Sequence, residues 1–471
     1  MIEMNRDLKI VISTFLIAFL ITQLPFPAEF SLAARVMIGI AFIAVVFWVT
    51  ECIPIPVTAL LVILLQGLFG VQPFTDALSY IAHPVNALLL AGFVIAGSLK
   101  KYDLDRMIGL KIISFMGDST NQLILGVMVA TAFLSMWISN TAATAIMLPI
   151  GIGVMKKAVD GSDGTNMMKV MVIGTAFAAN IGGIGTPLGT PPVPITIGFL
   201  DEMAGISLSF LDWIIRAMPI VLISLPVSWK LLTWFYIPEV KQVGKGVEDI
   251  KQELAEMGGL TKKQKHVIIL FMIAVVLWFL DSLGFLLPLP ENWLYLASLI
   301  IALMYIFPGT GVLKWKEAEK EINWGILILI GGGLALGSGL QEAGVIGIIA
   351  GYLETLLVGS SIFVVIGVVA LVTAFSITLF SSLTATSGTF VPIAIALAGK
   401  LGVRPLILAL VAGVASCFAF LLPVNTPPNA LAYDTDHFKT SEMTKPGVLL
   451  TLICVGILIF VASVYWVPFL S

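Results

Sequence analysis

Gly182-Gly183-Ile184-Gly185-Thr186-Pro187-Leu188-Gly189-Thr190-Pro191-Pro192 interrupts an apolar stretch near 168–200, and Pro423-Val424-Asn425-Thr426-Pro427-Pro428-Asn429 interrupts another near 404–434. Proline inside a helix removes a backbone hydrogen bond and clashes with the preceding turn. Two prolines beside a run of glycine or asparagine therefore unwind both stretches at the same tripeptide, Thr-Pro-Pro. Unwound backbone at membrane depth is tolerated only where it is buried in protein or lines a cavity. Each break is thus a candidate ligand site.

That lipid is the solvent follows from composition. Of 471 residues, 59% are hydrophobic and only 11% charged, with a mean hydropathy of +1.05. Soluble domains carry about 25% charged residues, so this chain lacks the polar surface that water demands. Spans of roughly 20 apolar residues are read near 8–25, 33–50, 57–71, 84–100, 210–236, 266–287, 291–307, 323–341 and 447–469. A net charge of −3 argues against a nucleic-acid partner. Cys52, Cys417 and Cys454 are isolated and read as apolar packing residues, and His83, His266 and His437 show no zinc spacing. Residues 8–25 follow Arg6 and Lys9 without a small-residue cleavage site, so a retained first helix is expected rather than a signal peptide.

Charge sets the expected orientation. The longest polar segment, 237–265, carries Lys241, Lys245, Lys251, Lys262, Lys263 and Lys265 and reads as a solvated linker. Lysine and arginine mark the cytoplasmic side. Counting spans from that segment places the N-terminus inside and the C-terminus outside. Lys100, Lys101, Arg106, Lys111, Lys156, Lys157, Lys314, Lys316 and Lys320 then also fall inside, provided that 122–157 and 362–400 are re-entrant hairpins. The expectation is an all-α polytopic membrane protein with eleven transmembrane helices and two re-entrant hairpins.

The two halves repeat. Gly92, Gly97 and Ser98 match Gly332, Gly337 and Ser338 at an offset of 240, and Ser139, Thr141, Ala142 and Pro149 match Ser382, Thr384, Ala385 and Pro392 at 243. Thr190-Pro191-Pro192 matches Thr426-Pro427-Pro428 at 236. An odd number of spans separates the copies, which makes the repeat inverted, as in many secondary transporters. The first hairpin tip reads Ser135-Met136-Trp137-Ile138-Ser139-Asn140-Thr141-Ala142-Ala143-Thr144, and the second Thr378-Leu379-Phe380-Ser381-Ser382-Leu383-Thr384-Ala385-Thr386-Ser387-Gly388-Thr389. So many hydroxyls at membrane depth are costly without partners. Interhelical bonding explains some of them, but consecutive polar residues point in different directions on a helix and suit a tip that converges on a ligand.

Tips and breaks contain no Arg, Lys, Asp or Glu. An anion is still held there by helix N-termini, amides and hydroxyls, and exposed carbonyls beside unwound segments hold sodium. The pattern offers no carboxylate chain for a proton relay. A channel would need a polar stripe or charged rings along several spans, and an intramembrane protease would need paired acids, a Ser/His pair or zinc ligands. Neither pattern is present.

Together with Thr50-Glu51-Cys52-Ile53-Pro54-Ile55-Pro56-Val57-Thr58, the paired tips and twin Thr-Pro-Pro breaks resemble the divalent-anion/sodium symporter family of dicarboxylate, citrate and sulfate carriers. The resemblance runs over nearly the whole chain. It implies an elevator-type homodimer, with scaffold segments 1–83 and 210–322, transport segments 84–209 and 323–437 and a last helix in 438–471; a plasma membrane is the expected location. It implies substrate contacts at Ser139, Asn140, Thr141, Thr190, Pro191, Ser382, Thr384, Thr426 and Pro427. A first sodium site falls on Ser135, Ser139, Asn140 and Gly189, and a second on Thr378, Ser381 and Asn425. Leu383 stands where the family's second motif has asparagine, which weakens that second set. The resulting expectation is an exchanger of C4 and C5 dicarboxylates with weak or absent sodium coupling and no other cofactor. A sodium-coupled dicarboxylate or citrate symporter is the alternative, and an anion channel the reading from another class.

Overall fold

The computed structural model describes residues 6–158, 165–242, 246–283 and 289–470. Regular structure among these residues is helical, and nine helices are long and apolar enough to cross a membrane. In chain order the principal helices are α1 (Arg6–Gln23), α2 (Leu32–Thr50), α3 (Ile55–Leu68), α4 (Val85–Lys101), α5 (Thr120–Ser135) and α6 (Asn140–Ala158). Then come α7 (Asn166–Gly182), α8 (Pro192–Ala204), α9 (Phe210–Phe235), α10 (Lys262–Leu280), α11 (Trp293–Ile306) and α12 (Trp324–Glu342). The last are α13 (Ile362–Phe380), α14 (Leu383–Leu401), α15 (Pro405–Ala415), α16 (Pro427–Tyr433) and α17 (Thr440–Val461).

Helix starts follow local chemistry. Ser119, Thr165 and Ser209 each accept the backbone N–H three residues on, at 3.0–3.2 Å, opening α5, α7 and α9. Both interrupted stretches are broken where the prolines stand. α7 gives way to a 3-10 turn at Gly183–Gly185 and an extended Thr186 before α8, and α15 ends at Ala415 before a 3-10 turn at Pro423–Asn425 and an extended Thr426.

The halves share one order of elements, and the repeat is longer than its sequence blocks. In the first, α3, a surface helix (Phe74–Ser79), α4 and a second surface helix (Leu104–Ser114) precede the hairpin α5–α6, the broken helix α7/α8 and α9. In the second, α11, Trp315–Glu321, α12 and Val345–Leu357 precede the hairpin α13–α14, the broken helix α15/α16 and α17. The halves interlock, since α6 packs on α16 and α14 packs on α8. α7 lies at the centre, 94% buried, and is apolar all round because it has no lipid face. Glycines let the hairpin close on it: a Cβ on Gly151 of α6 would lie 2.7 Å from the Met171 sulfur.

Three expectations need correction. Segment 237–265 is not simply a solvated linker. It contains a helix, Gly246–Met257, that buries Ile250 to 2% exposure against Leu104–Ser114, while Lys245 lies outside the described residues. The spans read at 57–71 and 291–307 are helices of only 14 residues, about 21 Å long and short of a 30 Å core. The span read at 266–287 ends as an α-helix at Leu280, and its residues 284–287 lie outside those described. The hairpin arms α13 and α14 are themselves as long and apolar as true spans.

Candidate functional site

The first hairpin turns at Met136–Ser139. Ser139 Oγ accepts the Ala142 N–H at 3.2 Å and its carbonyl accepts the Ala143 N–H at 3.0 Å, so Ser139 caps α6. The positive end of a 19-residue helix is thereby presented at the tip.

Behind the tip lies a buried nest of oxygens. Ser135 Oγ, fully buried, donates to the Ala179 carbonyl at 2.8 Å. In the orientation that satisfies its surroundings, the Asn140 NH2 donates to Ser135 Oγ, to the Gly189 carbonyl at 3.0 Å and to the Ala179 carbonyl at 3.3 Å. Gly189 is needed for this closeness, because a Cβ there would lie 2.5 Å from the Gly183 carbonyl oxygen and 2.6 Å from that of Ser135. Oxygens so crowded repel unless a donor or a cation stands among them. The Asn140 NH2 supplies that donor among them.

In front of the tip a cavity of about 560 Å³ reaches from Ser139, Thr141, Leu188 and Pro427 to a charged mouth at Lys100, Asp105 and Glu321. Lys100 Nζ lies 3.1 Å from Glu321 Oε2. Burial pushes the Asp105 carboxyl above its usual range, against the Arg106 N–H that it accepts at 2.8 Å. Trp137 forms one wall, stacked on Phe210 with its ring centroid 6.3 Å away, and its indole N–H is buried without a protein partner.

The expected residues separate into groups. Ser139, Thr141 and Pro427 share the cavity, while Asn140, Ser135 and Gly189 form the nest behind it. Thr190 is 2% exposed and its hydroxyl has no protein partner, whereas Pro191 beside it is half-buried. Thr426 caps α16, accepting the Asn429 N–H at 3.3 Å. At the second tip Ser382 caps α14 through Ala385 N–H at 3.3 Å, and Thr384 is 5% exposed; neither lines the cavity. Ser381 takes a left-handed conformation with φ 44° to make this turn, and Thr378 is bonded back onto its own helix, at the Phe375 carbonyl.

Sequence reasoning missed Asn180. Its Nδ2 donates to Asn429 Oδ1 at 3.0 Å and to the Ala419 carbonyl at 3.1 Å, tying α7 to α16 between the breaks. A lone asparagine in an apolar helix was the available signal.

Comparison with known proteins places this architecture. The family described as "Sodium:sulfate symporter transmembrane region" matches residues 5–471. The "Sodium-dependent dicarboxylate transporter SdcS" of Staphylococcus saprophyticus is 32% identical over 470 residues, covering 94% of this chain and 88% of the relative. Its namesake in Staphylococcus aureus strain USA300 is 35% identical over 471 residues, covering 95% and 89%. Among solved structures, the YdaH transporter of Alcanivorax borkumensis aligns with a TM-score of 0.59 at 12% identity, over 84% of this chain and 88% of that one. MtrF of Neisseria gonorrhoeae aligns with a TM-score of 0.55 at 14% identity, over 85% and 84%. These two share the fold alone. With nearly its full length matched by the family and by these relatives, the chain belongs to the divalent-anion/sodium symporter family of membrane transporters.

Proposed function

We propose that the protein is a sodium-coupled secondary transporter of C4 and C5 dicarboxylates in the plasma membrane. The observation that carries this reading is one continuous cavity joining a charged mouth to a hydroxyl-lined helix N-terminus, with the oxygen nest directly behind it. A carboxylate fits the first position: Ser139, Thr141 and the first amides of α6 offer donors without a fixed positive charge. The Thr190 hydroxyl, buried outside the cavity's lining, is a further unpartnered group at the first break. An unsatisfied buried hydroxyl costs about 1–3 kcal/mol, which a substrate oxygen would recover. A sodium ion, as co-substrate, fits the second position, where Ser135, Asn140 and the carbonyls of Ala179, Gly183 and Gly189 supply oxygens only.

Coupling follows from adjacency. Asn140 opens α6, so a cation that turns its amide oxygen inward also fixes the helix end that grips the carboxylate. The relatives are named sodium-dependent dicarboxylate transporters, and this favours sodium coupling over the exchanger expected from Leu383. By the positive-inside rule, Lys100, Lys101, Arg106 and Lys111 around the mouth support reading that face as cytoplasmic and the cavity as open toward the inside. In the elevator reading of the homodimer, segments 84–209 and 323–437 carry the site across the membrane past a scaffold of 1–83, 210–322 and 438–471. Eleven crossings then put the N-terminus inside and the C-terminus outside.

The test is uptake of labelled succinate or 2-oxoglutarate into proteoliposomes, with external sodium or choline. Uptake that collapses in choline supports the reading; equal uptake in both, or none in either, overturns it.

A further inference from the structure

The nest behind the first tip has a counterpart fixed by the internal repeat, and that counterpart is built differently. The offsets that pair Ser139 with Ser382 and Thr190 with Thr426 pair Ser135 with Thr378, Asn140 with Leu383 and Gly189 with Asn425. The asparagine has changed walls. In the first copy it stands on the hairpin and reaches a glycine on the break; in the second it stands on the break and reaches the hairpin.

There Asn425, 2% exposed, donates its Nδ2 to the Ile377 carbonyl at 3.3 Å and accepts the Leu422 N–H on its Oδ1 at 2.9 Å. The same Ile377 carbonyl accepts the Ser381 N–H at 2.8 Å. Both ends of the amide are committed, and the carbonyl at the end of α13 already takes two donors. Leu383 packs with Ile377, Ala419 and Leu421, placing methyl groups where the first copy has an amide. In the first copy no side chain is sterically allowed at Gly189, whereas here a whole amide occupies the matching position. Compared with the first nest, this locus has an isobutyl group in place of an amide and a side-chain amide filling the space that Gly189 leaves open in the first copy.

We infer that Asn425 and Leu383 permanently close the second cation position, so that one sodium ion accompanies each dicarboxylate. The inference rests on the sodium-coupled reading above and has a consequence of definite sign. With both carboxyls ionised near pH 7.5, a cycle carrying one cation and one dicarboxylate moves a single net negative charge. An inside-negative potential then opposes uptake. Two cations would make uptake indifferent to voltage, and three would make it accelerate.

The experiment uses the full chain in proteoliposomes with equal sodium on both sides, the potential being set by potassium and valinomycin. Choline replacement comes first: sodium-independent uptake overturns the coupled reading and this inference together. If uptake needs sodium, about 100 mV inside-negative should lower the equilibrium inside-to-outside ratio of succinate about fifty-fold, and the opposite polarity should raise it equally. A ratio unmoved by voltage, or raised by inside-negative potential, overturns the single-cation inference and leaves the coupled reading standing. The double variant Leu383→Asn/Asn425→Gly, which restores the first-copy pattern, should abolish the voltage effect. The wild-type measurement decides the matter even where that variant does not fold.

Discussion

Asn180 Nδ2 lies 3.0 Å from Asn429 Oδ1, and Asn429 Nδ2 in turn donates to the carbonyls of Ala419 at 2.8 Å and Leu422 at 3.0 Å. One amide pair therefore holds the two broken helices together at the depth of their breaks. Replacing Asn180 by Leu keeps the branched outline of the side chain but strands the Asn429 oxygen in a fully buried position. An unsatisfied buried acceptor costs about 1–3 kcal/mol. We expect Asn180→Leu to lower the melting temperature of the detergent-solubilised protein and to reduce uptake; an unchanged melting curve would show that the pair contributes nothing to holding the breaks.

The closeness of Gly189 to two carbonyl oxygens makes it the sharpest single test of the cation nest. A methyl group at 2.5–2.6 Å from the oxygens of Gly183 and Ser135 forces the break away from the tip. Gly189→Ala should raise the sodium concentration for half-maximal uptake at least tenfold. Gly153→Ala, where a Cβ meets no atom within 4 Å, should leave it alone. Equal sodium curves for wild type and Gly189→Ala would remove sodium from this position.

Much of this site was readable because polar residues at membrane depth have few explanations. Ser139-Asn140-Thr141 and the two Thr-Pro-Pro tripeptides advertise a cost that only a turn or a break justifies, and that is how they fold. Helix length was less readable. Ile55–Leu68 and Trp293–Ile306 are bounded by Phe69 and Phe307, so hydropathy runs on where the helix stops. The helix Gly246–Met257 was hidden by the charged residues in and around it, although Ile250, Leu254 and Met257 recur at helical spacing. The pairing of Asn180 with Asn429 had no signal at all, since two single amides 249 residues apart reveal nothing of each other until both helices are placed.

Thr141 faces the cavity from the first turn of α6, while Thr384 is 5% exposed on α14. A hydrogen bond to a charged group contributes about 1.5–3 kcal/mol, so losing one to a carboxylate weakens binding at least tenfold. Thr141→Ala should raise the KM for succinate by that factor. Thr384→Ala should do the same if the second tip grips the other carboxylate at another stage of the cycle. Unchanged KM in both variants would dismiss the hairpin tips as the substrate site.

The last prediction concerns how the central helix is anchored. Glu239 accepts the backbone N–H groups of Asn166 at 2.6 Å and Met167 at 3.1 Å, so a remote carboxylate caps the N-terminus of α7. Burial opposes its ionisation, but the two N–H bonds outweigh it and hold the carboxyl below its usual range. A group depressed in the folded state stabilises above its unfolded pKa, near 4.5 for this residue, and that stabilisation is lost as pH falls through the folded value. A carboxylate at a helix N-terminus contributes about 0.3–1 kcal/mol at an exposed position. Glu239→Gln should therefore melt earlier than wild type at pH 7, and the gap should narrow as pH drops below 4.5. A gap that stayed constant into acid would mean that the charge on Glu239 plays no part in holding α7.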